Sequence, residues 1–282
     1  MKLKSLVWTL GLKPRVTTFG TKKISFSLEK DGEIEYAKWL HPKDYFVRFE
    51  QDYVDKLRQY IRSGDTVLDV GAHCGDFSLP LALAAGKQGA VIAWEPNPYV
   101  FKVLEQNARL NRNKTNILPV MAAVSPNDET LTFNYSDPGM INGGNFAGIS
   151  KWIHGHPYKI EVPGRNMHRW MNQNCPERIS RISFVKVDTE GFDLEVLKTI
   201  ESIIVAQNPI VHVEFYRHLN AEKRRALWSF LHDREYILFT TDSAYGVDPV
   251  DQVDLSDVMK WKHFDTIAFP RSSHFVPQSV AA

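Results

Sequence analysis

From residue 66 onward, short apolar strands alternate with helices, and no other feature of this chain constrains its fold as much. Strands are expected at 66–70 (TVLDV), 90–94 (AVIAW), 116–120, 183–187 (SFVKV), 210–215 (IVHVEF), 236–240 and 266–269. Helices are expected between them over 76–85, 98–110, 192–203 and 221–232, the second carrying Pro98 in its first turn, where a missing N–H costs nothing. Such alternation calls for a mostly parallel sheet with helices on both faces, a Rossmann-like α/β domain. Ahead of it, apolar residues at helical spacing (Phe46, Phe49, Tyr53, Leu57, Tyr60, Ile61) predict a helix between 45 and 61, stopped at Ser63-Gly64. Earlier still, KKISFSLEKDG reads as hairpin strands around an Asp31-Gly32 turn. The expected organisation is an N-terminal appendage over 1–45, a main domain over 46–270 and a tail over 271–282. Strands at 131–135 and 159–162 break the rhythm and mark an insertion around 126–180. Its glycine-rich stretch, 137–150, reads either as a surface insertion or as a lid or acceptor loop.

The segment VLDVGAHCGDFS (67–78) delivers Asp69, Gly71 and Gly75 from a buried strand into a helix. Glycines there permit unusual dihedrals and a close approach of backbone to ligand. In an open α/β sheet this turn lies at the carboxyl edge, where ligands bind near the topological switch point. Twenty residues after Gly75, the next strand ends in Glu95, placed to accept hydrogen bonds from both hydroxyls of a ribose. A dinucleotide fingerprint needs G-x-G-x-x-G, whereas this turn reads Gly71-Ala72-His73-Cys74-Gly75 with an acid two residues ahead. Asp69 would repel a pyrophosphate and suits the ammonium of a methionine moiety, which favours S-adenosylmethionine over a nicotinamide cofactor.

VLDVGAHCGDFS, WEPNP from Trp94, the stretch Ala122–Ser125 and VKVDTEGFDLEVLKTI from Val185 resemble the FkbM-type class I methyltransferases. The resemblance runs from about 66 to 215. It implies a seven-stranded sheet whose last strand is antiparallel, S-adenosylmethionine as cofactor, and O-methylation of a sugar, glycan or related natural product. It also implies Gly71, His73 and Gly75 around the methionine portion, Glu95 on the ribose, and Met121 to Ala123 near the adenine. The candidate cofactor contacts are thus Asp69, Gly71, Ala72, His73, Gly75, Phe77 and Ser78 from the first turn, and Glu95, Pro96 and Asn97 from the second. Met121, Ala122 and Ala123 follow the third strand, and Asp188 the fourth. His73 departs from the class, where a glycine is common.

An alcohol acceptor is a poor nucleophile until a base removes its proton. Asp188, Glu190 and Glu214 are the candidate catalytic acids, with Asp188 as general base and the other two positioning the acceptor. Glu190 reads equally as an acid favoured at a helix N-terminus. Lys186 is a lesser candidate, since lysines usually keep their ammonium in water. His212 reads as a hydrogen-bonded core histidine. The three acids are also the type of oxygen donor that a divalent cation takes, so a metal stays open.

Lysine plus arginine (34) nearly cancels aspartate plus glutamate (33), whereas a polyanion-gripping protein usually shows a basic excess. Nucleic acid is therefore disfavoured as partner, and RNA ribose methylation stands as an alternative beside an NAD-binding oxidoreductase. Aromatics in and after the glycine-rich stretch (Phe146, Trp152, Tyr158) suit a carbohydrate acceptor. Cys74 and Cys175, far apart, read as reduced thiols of a cytoplasmic protein. The apolar run in MKLKSLVWTLGLKPR is too short to span a bilayer.

Overall fold

Side-chain alternation decides the first elements of the computed structural model, which describes residues 15–45, 47–135, 137–141, 158–243 and 246–276. β1 (Thr21–Leu28) pairs antiparallel with β2 (Gly32–Trp39) around a turn closed by Gly32 at φ +66°. Ile34, Tyr36 and Trp39 are buried, packed with Phe49, Val54, Leu79, Leu83 and Val103. The hairpin thereby roofs the helices Ser78–Ala85 and Pro98–Arg109. Asn107 fastens it: its amide accepts from Ala37 N–H at 2.6 Å and donates to the carbonyls of Ala37 and Cys74.

The next helix runs over Gln51–Tyr60, shorter than the span predicted from residue 45. Val47 and Phe49 are buried on either side of exposed Arg48, a period of two that belongs to extended chain. Phe46 falls outside the described residues, as do Phe146, Trp152 and most of the glycine-rich stretch.

The remaining strands are β3 (Thr66–Val70), β4 (Ala90–Trp94), β5 (Ile117–Val120), β6 (Ala123–Val124), β7 (Glu129–Tyr135), β8 (Tyr158–Arg165), β9 (Ile182–Val187), β10 (Ile210–Phe215), β11 (Tyr236–Thr241), β12 (Pro249–Gln252) and β13 (Phe264–Pro270). Among the described residues the main sheet has the order β12-β11-β13-β10-β9-β3-β4-β5. β10, β9, β3, β4 and β5 are parallel, and β13 runs antiparallel to both β10 and β11. This is the seven-stranded sheet with an antiparallel last strand that the resemblance implies, extended by the short edge strand β12, which the sequence did not signal. β3, β4 and β10 are buried along their whole length, as expected of parallel strands covered on both faces. β6, β7 and β8 form a separate three-stranded sheet.

Two helices differ from their expected spans. The stretch after β9 is divided into Asp193–Thr199 and Glu201–Gln207, because Ile200, fully buried, leaves helical dihedrals at φ −119°, ψ 19°. Glu190 opens neither. It stands in the preceding turn at φ +57°, two residues before the N-cap Phe192. No helix among the described residues is long and apolar enough to cross a membrane.

Candidate active site

At the carboxyl ends of β3, β4 and β9 lies a crevice of about 520 Å3, a size suited to a nucleoside-type ligand. Chain order reverses direction between β3 and β9, so this is the sheet's switch point. Gly71 and Ala72 both donate to Trp94 O at 3.0 Å, and Asp188 N donates to Val70 O at 3.0 Å, which ties the three strand ends together.

Gly71, His73, Phe77, Glu95, Pro96, Asn97, Ala122, Ala123, Asp188 and Glu190 line the crevice. Glu95 closes β4 and accepts from His73 N–H at 3.0 Å through one carboxylate oxygen and from Asn97 N–H at 2.8 Å through the other. Burial pushes its pKa up, while the charge of His73 and the two N–H bonds pull the other way. With its orientation fixed from below, each oxygen keeps lone pairs for a hydroxyl in the crevice. Asn97 is spoken for: its side chain accepts from Tyr99 N–H and donates to Met140 O, tying the 137–141 loop to the wall.

Asp69, Ala72, Gly75, Ser78, Met121 and Glu214 do not line it. Asp69 is fully buried, accepts from the Ser78 hydroxyl and lies 3.5 Å from Lys186 Nζ. A Cβ on Gly75 would meet Leu104 Cδ1 at 2.9 Å, so this glycine makes room for the helix Pro98–Arg109 and not for a ligand. Gly71 likewise admits backbone: a Cβ there would lie 1.9 Å from Asp188 O. Met121 is exposed. Glu214 faces His263, 3.2 Å from its Nε2. Burial and the charges of Asp188, Asp193 and Glu190 hold Glu214 far above the usual carboxylate range, and burial lowers His263.

Lys186 is the main residue underrated by sequence reasoning. It is buried, donates to Gly71 O at 3.0 Å, and sits 3.5 Å from Asp69 Oδ1 and 3.4 Å from Asp188 Oδ2. The signal was present: a lysine inside an apolar strand, two residues before an acid, beside a strand carrying Asp69. Asp193 was passed over as well. Its carboxylate accepts from Thr189 N–H, Thr189 Oγ1 and Gly191 N–H and so shapes the turn that presents Asp188 and Glu190. Burial and Asp188 push its pKa up to about 7. Glu190 is raised by burial and hydrogen-bonds the Tyr216 hydroxyl. Asp76 and Thr189, from the two motif turns, also line the crevice, as do Lys43, Tyr45, Tyr216, His218 and Lys223 from segments with no motif. His212 is a core histidine, 3.0 Å from Gly246 O and lowered to about 4 by burial.

Among the described residues, Asp44, His73 and Cys74 are the one group whose ligand-type atoms lie within 4.8 Å of one another. Lys38 already pairs with Asp44, and burial keeps Cys74 a thiol, which a metal would have to deprotonate. Asp188, Glu190 and Glu214 form no such group.

Residues 69–238 match the model of the methyltransferase FkbM domain. The chain belongs to the FkbM methyltransferase family. S-adenosylmethionine is the cofactor expected of an FkbM chain, and the fixed Glu95 and the open crevice fit it. This FkbM chain is 25% identical over 168 residues to the hexuronic acid methyltransferase AglP of Haloferax volcanii, covering 58% of this chain and 62% of that protein. It is also 25% identical over 161 residues to the methyltransferase sdnD of Sordaria araneosa, covering 49% and 61% respectively. It thus spans about three fifths of the length of these curated relatives. Among solved structures, methyltransferase FkbM from Methylobacillus flagellatus KT is similar at 14% identity and a TM-score of 0.42, covering 77% of this chain and 51% of that one. A SAM-dependent O-methyltransferase from Thermotoga maritima is similar at 11% identity and a TM-score of 0.42, covering 89% and 77%.

Proposed function

We propose that this chain transfers a methyl group from S-adenosylmethionine to a hydroxyl of a sugar or related natural product. The observation that carries the reading is Glu95, a crevice-lining carboxylate oriented by two backbone N–H groups at the end of β4. The bound cofactor supplies an electrophilic methyl on a sulfonium. Glu95 holds the ribose hydroxyls, Gly71, His73 and Phe77 wall the methionine side, and Ala122 and Ala123 flank the adenine. Asp188, 39% exposed in its side chain and steadied by Lys186, takes the acceptor's proton. Glu190 and Tyr216 position the acceptor beside it. The name of AglP supports a sugar acceptor, and His218 and Lys223 at the mouth suit one that carries a carboxylate.

Calorimetry with S-adenosylhomocysteine and NAD tests the cofactor, and binding of NAD alone sinks the reading. A radiolabelled methyl-transfer screen over uronic acid, neutral sugar and RNA acceptors then tests the acceptor, with RNA as the sole product defeating the sugar assignment.

A further inference from the structure

Asp69 is the acid that the sequence offers to the amino group of the methionine portion, and the fold withdraws it. Ser78 and Lys186 take up its carboxylate, and it stands behind the crevice wall. A buried carboxylate already neutralised by an ammonium has no surface left for a second cation.

We infer that Asp76, braced by Tyr45, receives the amino group of the cofactor's methionine portion in place of Asp69. Asp76 follows the turn that carries Gly71 and His73 and lines the crevice with them. Each of the other crevice acids is otherwise engaged. Glu95 is fixed by two N–H groups at the end of β4, Asp188 pairs with Lys186, and Glu190 hydrogen-bonds Tyr216 beside β10. Among the described residues, Asp76 is paired with no cation. Its partner is the Tyr45 hydroxyl, which donates to Oδ2 and leaves Oδ1 to accept. An ammonium is the donor that such an oxygen binds most strongly.

Tyr45 comes from the strap that follows β2 and, like Lys43, lines the crevice from outside the matched residues 69–238. Lys43 pairs with Asp137, and His41 Nε2 lies 3.4 Å from Asp137 Oδ1, so strap and 137–141 loop are held as one wall. The N-terminal segment therefore takes part in holding the cofactor. The inference rests on the cofactor reading above.

The test compares two ligands by calorimetry. S-adenosylhomocysteine carries the amino acid end, whereas 5′-methylthioadenosine has the nucleoside and sulfur without it. The wild-type protein is expected to prefer the first. D76N weakens S-adenosylhomocysteine by about tenfold or more and leaves methylthioadenosine within about twofold. Y45F moves the ratio in the same direction by a smaller factor, and D69N lowers the melting temperature without moving it. Methylthioadenosine binding doubles as the check that each variant is folded. Equal weakening of both ligands by D76N, or no weakening of either, overturns the inference. So does a selective loss in D188N with D76N unaffected. Wild-type protein that binds neither ligand removes the cofactor reading itself, a result separate from these.

Discussion

Asp69 and Lys186 are register partners on adjacent parallel strands, and their side chains meet 3.5 Å apart, with Lys186 itself lining the crevice. The same ammonium reaches Asp188 Oδ2 and Gly71 O, so one buried cation joins the ends of β3 and β9. Removing it strands a carboxylate in the core. Lys186→Met is expected to cost about 3–5 kcal/mol of stability, the usual effect of breaking a buried ion pair from one side. Lys186→Met with Asp69→Asn should recover part of that loss. Urea unfolding of the two single variants and the double variant checks it, and strict additivity would show that the two side chains are not coupled.

Asp188→Asn keeps the shape of the turn and removes the basic oxygen. Turnover is expected to fall by about 10²–10⁴-fold, with S-adenosylhomocysteine affinity changed only a few-fold. Single-turnover kinetics beside calorimetry separates the two. Near wild-type turnover would exclude Asp188 as the base.

Glu95→Ala removes the crevice-lining carboxylate that the N–H groups of His73 and Asn97 hold in place. Affinity should drop by about ten- to a hundredfold for S-adenosylhomocysteine and methylthioadenosine alike, because both carry the ribose. A loss confined to one ligand contradicts the assignment.

Gly75→Ala sets a methyl group 2.9 Å from Leu104 Cδ1 at a residue with φ +86°. It is expected to destabilise by about 1–3 kcal/mol through overpacking and strain. Gly75→Ala with Leu104→Ala should relieve the packing part only. Gly71→Ala faces backbone, Asp188 O at 1.9 Å, which no side-chain change relieves, and should lose the fold or the crevice outright.

Asp193 gives a pH signature. Its folded pKa of about 7 lies above the unfolded value of 3.8, so between these the folded state holds the extra proton. Its contribution is fully present below about pH 4 and is lost as pH rises to about 7. Asp265, also pushed up to about 7, acts with the same sign, and His212, lowered to about 4, with the opposite sign. The stability difference between wild type and Asp193→Asn should therefore shift against wild type from pH 4 to 7 and level off above. A difference independent of pH would show that Asp193 titrates normally.

Much of the fold could be read locally. Strands such as TVLDV and IVHVEF stand between turn residues, and burial on both faces requires them to be apolar throughout. β12 could not be read so: Pro249–Gln252 is mostly exposed, and only the free edge of β11 makes it a strand. The helix over Gln51–Tyr60 starts later than the helical period suggests, because packing with the hairpin holds residues 47–49 extended. Glu95 was legible because a strand end fixes where a side chain points. Tyr45, Tyr216 and Lys223 were not, since the segments that bring them together are set by contacts distant in the chain.

The sequence by itself determined the parallel α/β architecture, the glycine turn at 71–75 and the acid at 95, because period, turn chemistry and strand order are written in neighbouring residues. Tertiary structure alone decided which acids reach the crevice. Asp69 is buried behind the wall and Glu214 faces His263, whereas Asp76 and Asp188 line the crevice, and burial and through-space contact belong to no residue taken singly.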